Sequence, residues 1–337
     1  MEKINIWFRY SKLGRLIILS VILTVLVLIT LTHYFPDVKG NIFKPKYSAT
    51  SSSSSSSSLI TYQESLKTCA GLRSEVVEET RPFRIFIHPI GKDIYVSDSI
   101  AGKGKNTEMM FESHIRATML NATSGGNKLI FDIGANIGLH TLFLASAGHT
   151  VHAFEPLAAN RDILECSIVQ SGFEQRITLN KFALSDETGS TCMFVEDKNM
   201  GHSMISASLD SASCPADKTI LTKRFEEYLS NALPVGTVPF MIKIDTEGHE
   251  FKALNPAKEY FQKYGAPRHI FSEFAPPFLR AAGTDPEEYL LLLHRDWDMT
   301  IECEGLLLVP GSAKWIEMVA PDNMRLYDIH AENLNFK

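Results

Sequence analysis

The sequence predicts an α/β domain: a mainly parallel sheet with helices on both faces, held behind an apolar anchor and a polar tether. Three observations predict it. From residue 128 onward, strand-like apolar runs alternate with helix-like stretches. The first of these runs ends in a glycine loop, Gly134-Ala135-Asn136-Ile137-Gly138. The second, Val151-His152-Ala153-Phe154-Glu155, ends in an acid about 20 residues later. Strand–helix alternation of this kind is the pattern of parallel sheets, whose ligands bind beyond the carboxyl ends of the strands.

The chain has 337 residues, 45% of them hydrophobic and 21% charged. That composition builds a sizeable core and excludes a wholly disordered or collagen-like chain. The net charge of −6 leaves no basic surplus for phosphate backbones, so no nucleic-acid partner is expected. Five cysteines fall at no metal-ligand spacing, and no metal site is expected.

The first element is apolar. Residues 16–35, LIILSVILTVLVLITLTHYF, contain no Asp, Glu, Lys or Arg. Twenty helical residues span about 30 Å, the thickness of a hydrocarbon core. A cleaved signal peptide has a shorter apolar region of about 7–15 residues and a small-x-small site, whereas this run ends in His33-Tyr34-Phe35-Pro36. The reading is a retained single-pass signal anchor. Lys12 and Arg15 lie against its start, which predicts a cytosolic tail (1–15) and a type II orientation. Residues 36–80 form a stem around the tract Ser51–Ser58, too polar to bury itself. Residues 81–337 are the expected folded domain. Anchor, stem and lumenal body together form the layout of Golgi-resident type II enzymes. Asn121-Ala122-Thr123 is a glycosylation sequon.

Within the domain, strands are expected at Phe83–His88 and Asp93–Ser97 and a helix over Thr107–Leu120. Further strands are expected at Lys128–Ile133, Thr150–Phe154, Ile177–Leu184, Met241–Asp245 and His269–Phe274. Helices are expected at Asn136–Ala147, Leu157–Gln170 (closed by Gly172) and Gly248–Tyr264, with another opened by Asp285-Pro286. Met299–Glu302, Leu306–Val309 and Trp315–Val319 read as closing strands.

The glycine loop departs from the dinucleotide fingerprint. The position two after Gly134 is Asn136, not glycine, so a diphosphate has no close path to the backbone. S-adenosylmethionine carries no phosphate. Asp132 is placed to meet its ammonium group, and a helix N-terminus its carboxylate. Glu155 is placed to accept hydrogen bonds from two ribose hydroxyls. The crevice beside Gly134 is thus expected to admit a sulfonium nucleoside.

Four segments carry a resemblance. Phe131-Asp132-Ile133-Gly134-Ala135-Asn136-Ile137-Gly138-Leu139-His140-Thr141, His152-Ala153-Phe154-Glu155-Pro156, Phe182-Ala183-Leu184-Ser185-Asp186 and Ile244-Asp245-Thr246-Glu247-Gly248-His249-Glu250 resemble the FkbM-type methyltransferases. The resemblance extends from about Asp93 to Glu302. It implies an S-adenosylmethionine-dependent O-methyltransferase on a doubly wound, seven-stranded, Rossmann-like sheet. It also implies that Asp132, Gly134, Asn136 and Gly138 hold the methionine end, Glu155 the ribose, and the loop at Ala183 and Leu184 the adenine. One departure stands before the Asp245 strand. There Thr222-Lys223-Arg224-Phe225-Glu226-Glu227 replaces an acid pair after threonine and leucine.

Methyl transfer to a hydroxyl needs positioning and a proton acceptor. The candidates are Asp245, Glu247, His249 and Glu273, with His249 favoured as base and Glu247 as an orienting group. The acceptor is expected to be a glycan or small molecule of the secretory pathway. Asp296-Trp297-Asp298 offers an alternative, a metal-dependent glycosyltransferase; a silent stalked binding domain is another. Cys192 and Cys214 are expected to pair in an oxidising compartment. Cys69 is expected to bridge to another chain and Cys166 to be a buried apolar group. Residues 200–219 are expected to shape the acceptor side.

Overall fold

The structure, a computed structural model, describes residues 69–78, 81–102, 113–196, 198–205 and 214–336. The expected anchor and the serine tract lie outside the described residues. Among the described residues, no helix is long and apolar enough to cross a membrane.

The chain opens with β1 (Arg73–Val77) and β2 (Phe83–Ile87), an antiparallel pair. Cys69 and β1 thus belong to the fold, although the sequence assigns them to the stem. The expected strand at Asp93–Ser97 is a capped turn. The Asp93 carboxylate accepts from the Ser97 N–H (2.9 Å) and Oγ (2.7 Å) and opens the short helix α1 (Ser97–Ile100). Helix α2 is Ser113–Ala122, the described part of the helix expected from Thr107.

The parallel core follows. β3 (Leu129–Ile133), α3 (Leu139–Ser146), β4 (Thr150–Phe154), α4 (Ala158–Ser171) and β5 (Ile177–Asn180) alternate as expected, and Gly172 closes α4 with φ 67°. The strand expected over Ile177–Leu184 breaks at Lys181-Phe182. Its second half is β6 (Ala183–Ser185), in a separate four-stranded sheet with β7 (Gly189–Glu196), β8 (Asn199–Ile205) and β9 (Thr219–Arg224), in the order β6-β9-β7-β8. After α5 (Phe225–Asn231) and β10 (Met241–Ile244) comes α6 (Glu250–Leu254). Pro256 interrupts the long helix expected there: a 3₁₀ turn, Asn255–Ala257, separates α6 from α7 (Lys258–Tyr264), because proline lacks the N–H that a helix interior needs.

β11 (His269–Phe274), α8 (Pro276–Ala281) and α9 (Pro286–Leu291) follow. Asp285 caps α9, accepting from the Glu287 N–H at 3.0 Å. β12 (Thr300–Cys303) and β13 (Leu306–Leu308) form a hairpin across Glu304 (φ 52°) and Gly305 (φ 77°). Two left-handed residues are the geometry of a two-residue hairpin. The segment at Trp315–Val319 is a helix, α10 (Ala313–Val319), not a strand, because Ser312 Oγ caps the Trp315 N–H. The true closing strand is β14 (Tyr327–Glu332), whose burial alternates residue by residue.

The main sheet has eight strands, not seven, in the order β13-β12-β14-β11-β10-β3-β4-β5. β11, β10, β3, β4 and β5 are parallel; β14 runs antiparallel to both β11 and β12. Both faces are buried, as doubly covered parallel sheets require. Ile130 points into one core with Leu142, Leu144 and Leu164. Its neighbour Phe131 points into the other, with Phe225, Phe261 and Leu254. This is the two-residue period of a strand.

Two disulfides staple the fold. Cys192–Cys214 pairs as expected. Cys69 does not bridge to another chain, and Cys166 is not a free apolar group. They bond to each other across a separation of 97 residues, while Cys303 stays free and buried. Losing a crosslink over a long loop costs on the order of 2–4 kcal/mol. The double variant Cys69→Ser/Cys166→Ser is therefore expected to unfold at a lower guanidinium concentration than the wild type. An unchanged midpoint would show that this link does not hold the domain together.

Candidate active site

The carboxyl ends of β3, β4, β6 and β10 meet at one edge of the sheets. The glycine loop leaves β3 with Gly134 at φ 79°, and a Cβ there would lie 1.8 Å from the Asp245 carbonyl oxygen. Only glycine lets β3 and β10 end so close together. Asn136 also takes a left-handed conformation (φ 53°); its N–H donates to Glu155 Oε2 at 2.8 Å. Glu155 Oε1 accepts from the Leu157 N–H at 2.8 Å. The glycine loop and the end of β4 thereby fix the Glu155 carboxylate. Burial raises its pKa from 4.5 to about 7, against the opposing pull of those two backbone donors.

A cavity of about 60 Å³ lies at this edge. Gly134, Asn136, Glu155, Ala183, Leu184, Asp245, Glu247 and His249 all line it. Met193, Gly201, Ser203 and Ile205 of β7 and β8 form its outer wall. Three predicted residues lie elsewhere. Asp132 is fully buried beneath the loop, where it accepts from Thr141 Oγ1 (2.5 Å) and stands 3.7 Å from Lys243 Nζ. Gly138 is a packing glycine: a Cβ would sit 2.1 Å from the Leu164 side chain on α4. Glu273, on β11, is not part of the cavity wall.

The turn after β10 is held from within. Glu250 Oε1 accepts from the Thr246 N–H, Thr246 Oγ1 and the Gly248 N–H. Gly248 (φ 95°) packs against the Phe278 backbone, where a Cβ would come within 2.4 Å. Glu247 is left-handed (φ 54°), and the turn aims it at the cavity. Lys243 Nζ, 3.6 Å from Asp245 Oδ2 and 3.3 Å from the Gly134 carbonyl, ties β10 to the loop. The sequence reading missed Lys243, although one cation inside an otherwise apolar buried strand was a visible signal.

His249 lies on the cavity wall with its Nε2 engaged. Its Nε2 lies 3.0 Å from Ser185 Oγ, and Ser185 Oγ donates to Asp186 Oδ1 at 2.9 Å. A hydroxyl has one proton. The arrangement that satisfies all three groups has His249 Nε2–H donating to Ser185. Burial lowers the His249 pKa to about 4, so the ring is neutral at physiological pH. The alternative acid pair is also engaged elsewhere. Asp296 pairs with Lys258 (2.8 Å) and Arg295 (2.9 Å), and Asp298 accepts from Asn335. Among the described residues, no group of three or more potential ligands could hold a metal. A larger surface cavity, about 580 Å³, carries Arg224, Lys258 and Glu259 and none of the predicted site residues.

A carboxylate at the end of the second parallel strand, beside a left-handed glycine loop, is the arrangement with which α/β proteins hold a ribose. Residues 132–299 match the methyltransferase FkbM domain. They form an FkbM methyltransferase domain, an S-adenosylmethionine-dependent methyltransferase module. No curated protein sequence matches the chain. Among solved structures, the chain is similar to methyltransferase FkbM from Methylobacillus flagellatus, at 16% identity and TM-score 0.38. That match covers 61% of this chain but spans only 43% of the other. A SAM-dependent methyltransferase from Agrobacterium tumefaciens is 10% identical, with 77% and 69% coverage and TM-score 0.39. Precorrin-6y C5,15-methyltransferase from Geobacter metallireducens is 12% identical, with 65% and 87% coverage and TM-score 0.35. Likenesses this remote say nothing of activity or substrate.

The acids at this edge set a pH dependence. Burial raises the pKa of Glu155 to about 7. Burial, then the charge of Asp245, raises those of Glu247 and Glu273 well above the carboxylate range. The unfolded chain releases these protons near 4.5; the folded chain holds them to higher pH. The contribution of these acids is thus full below about pH 4.5 and is lost as pH rises through 7 and beyond; the buried histidines, whose pKa values burial lowers from 6.5, act in the opposite sense on the acid side of that value. The melting temperature of the ligand-free protein is expected to drop between pH 7 and pH 9, and Glu273→Gln to flatten the drop. A wild-type profile that rises over that range would contradict these shifts.

Proposed function

We propose that the chain is a membrane-anchored, type II O-methyltransferase of the secretory pathway, resident in the Golgi, acting on a hydroxyl of a glycan or small molecule. The observation that carries the cofactor side is Glu155, fixed by two backbone donors at the mouth of a cavity. Its remaining lone pairs suit a ribose diol. Ala183, Leu184 and Met193 supply an apolar wall for a base. Asp132 is spoken for by Thr141 and Lys243. Asp245, half-exposed and on the cavity wall, therefore takes over the role expected of Asp132 toward an ammonium group. An acid-rich edge also disfavours a diphosphate.

The residues fit the cofactor by chemistry, but the cavity is small. Pockets that take drug-sized ligands run from about 300 to 1,000 Å³, against about 60 Å³ here. The outer wall belongs to β7 and β8, so a nucleoside enters by displacing that hairpin. When bound, the cofactor supplies an electrophilic methyl group. The chain's own part is to orient it, exclude water and accept the proton of the attacking hydroxyl.

Two disulfides support an oxidising compartment. With the charge-free run at 16–35 and the serine tract, they favour a lumenal body. The glycosyltransferase reading finds no such support, because Asp296 is held in ion pairs.

Two experiments test this function. Titrating the full-length protein with S-adenosylhomocysteine should raise its melting temperature by mass action. Glu155→Ala should weaken binding at least about tenfold, the loss of one charge-assisted interaction, and Asp296→Ala should leave it unchanged. No stabilisation of the wild type at millimolar ligand would sink the cofactor assignment. Asn121 is exposed, so glycosidase treatment of the protein from secretory membranes should lower its apparent mass. An unmodified Asn121 together with a protease-accessible cytosolic body would reverse the orientation.

A further inference from the structure

The cavity wall carries four titratable groups, Glu155, Asp245, Glu247 and His249. Three of them are engaged. Glu155 is fixed by two backbone donors and suits the ribose. Asp245 is half-exposed and has Lys243 Nζ 3.6 Å away. His249 directs its Nε2 at Ser185. Glu247 differs from all three. Its left-handed backbone (φ 54°) is uncommon for a residue with a side chain and persists only where the surroundings fix it. Here the Glu250 carboxylate and the Gly248–Phe278 contact fix the turn. Among the described residues its carboxyl group has no hydrogen-bond partner, and His202 Nε2 stands 3.6 Å from its Oε2. The groups that face it are mostly acids: Asp245 on the same turn, Glu250 on α6, Glu273 on β11 and Glu196 on β7, against Lys243 on β10 and His202 on β8. Burial, with that surplus of negative charge, favours the acid form of Glu247 in the ligand-free protein.

We propose that Glu247 distinguishes the methyl-bearing cofactor from its spent form by exchanging its own proton for the sulfonium charge. The proposal deepens the methyltransferase reading above and rests on it. In S-adenosylmethionine the sulfur joins the ribose to the methionine chain. With the ribose at Glu155 and the ammonium at Asp245, the sulfur falls between them, along the wall that Glu247 shares. A positive charge within about 4–6 Å favours a carboxylate over a carboxylic acid. The Glu247 proton therefore passes to water as the sulfonium binds, and one positive charge replaces another within the acid cluster. S-adenosylhomocysteine has a neutral sulfur and leaves Glu247 its proton. In methyl transfer an oxygen lone pair forms the new bond to carbon, and the carbon–sulfur electron pair stays on sulfur. The hydroxyl proton given up then balances the one lost on binding. The acid cluster thus holds the charged cofactor and relaxes its hold on the neutral product.

The test compares the two ligands by calorimetry on the full-length protein. Each is titrated at pH 7 in two buffers of different ionisation heat, and the difference in measured heat gives the protons released on binding. Contributions from the ribose, the base and the ammonium are common to both ligands and cancel. S-adenosylmethionine should release about half a proton or more beyond S-adenosylhomocysteine, as expected where a nearby charge lowers a raised pKa toward 7. In Glu247→Gln the two ligands should release the same number of protons. Where that variant does not fold, Glu247→Asn takes its place, because asparagine tolerates the left-handed backbone. Glu273→Gln, off the cavity wall, should keep the wild-type difference. Equal proton release by the two ligands in the wild type, or a difference that survives the loss of the Glu247 carboxyl group, would overturn the assignment and leave the methyltransferase reading standing. If neither ligand binds, the methyltransferase reading fails, and the proposal with it.

Discussion

The contact on which the site depends is between backbones. At Gly134 the chain passes so close to the Asp245 carbonyl that no Cβ fits. That approach brings the loop after β3 and the turn after β10 together, although they lie far apart in sequence. The same device recurs one layer out, where Gly248 rests on the Phe278 backbone. Steric exclusion at two glycines, more than any attraction, sets the floor of the cavity. Gly138 plays a third such part by admitting the Leu164 side chain of α4. Glycines that look like ligand contacts thus act first as packing elements.

Charge is the second constraint. Asp132, Asp245, Glu247, Glu250 and Glu273 crowd one sheet edge, and Lys243 is the cation that reaches two of them. Burial and mutual repulsion drive Glu247, Glu250 and Glu273 toward the protonated form. Such an edge is hostile to phosphate and hospitable to a positively charged ligand. Acids perturbed in this way cluster at functional sites.

The second sheet turns this edge into an enclosure. β6 carries the wall at Ala183 and Leu184, and β7 and β8 close over it. The Cys192–Cys214 disulfide ties β7 to the segment entering β9. Cys69–Cys166 does the same for the start of the domain and α4. The hairpin that covers the cavity is therefore anchored at its base, and near its tip the Ile94 N–H donates to the Lys198 carbonyl and Asp93 bridges to Asn199.

Much of this was legible in the residues. Continuous apolar runs and helical patterns located the parallel strands from β3 to β11, because both faces of such strands are apolar. The left-handed loop at Gly134 and the acid at Glu155 were readable because local spacing dictates them. The errors share a cause. Trp315–Val319 looked like a strand until Ser312 capped it, and β14 was overlooked although Tyr327–Glu332 alternates cleanly. Cys69 and Cys166 found each other only through folding. Asp132 looked like a ligand group, yet Thr141 and Lys243 claim it. Strand positions and loop chemistry are local properties and can be read along a chain. Which polar atoms are already satisfied depends on contacts between distant segments, so the tertiary structure alone decided it.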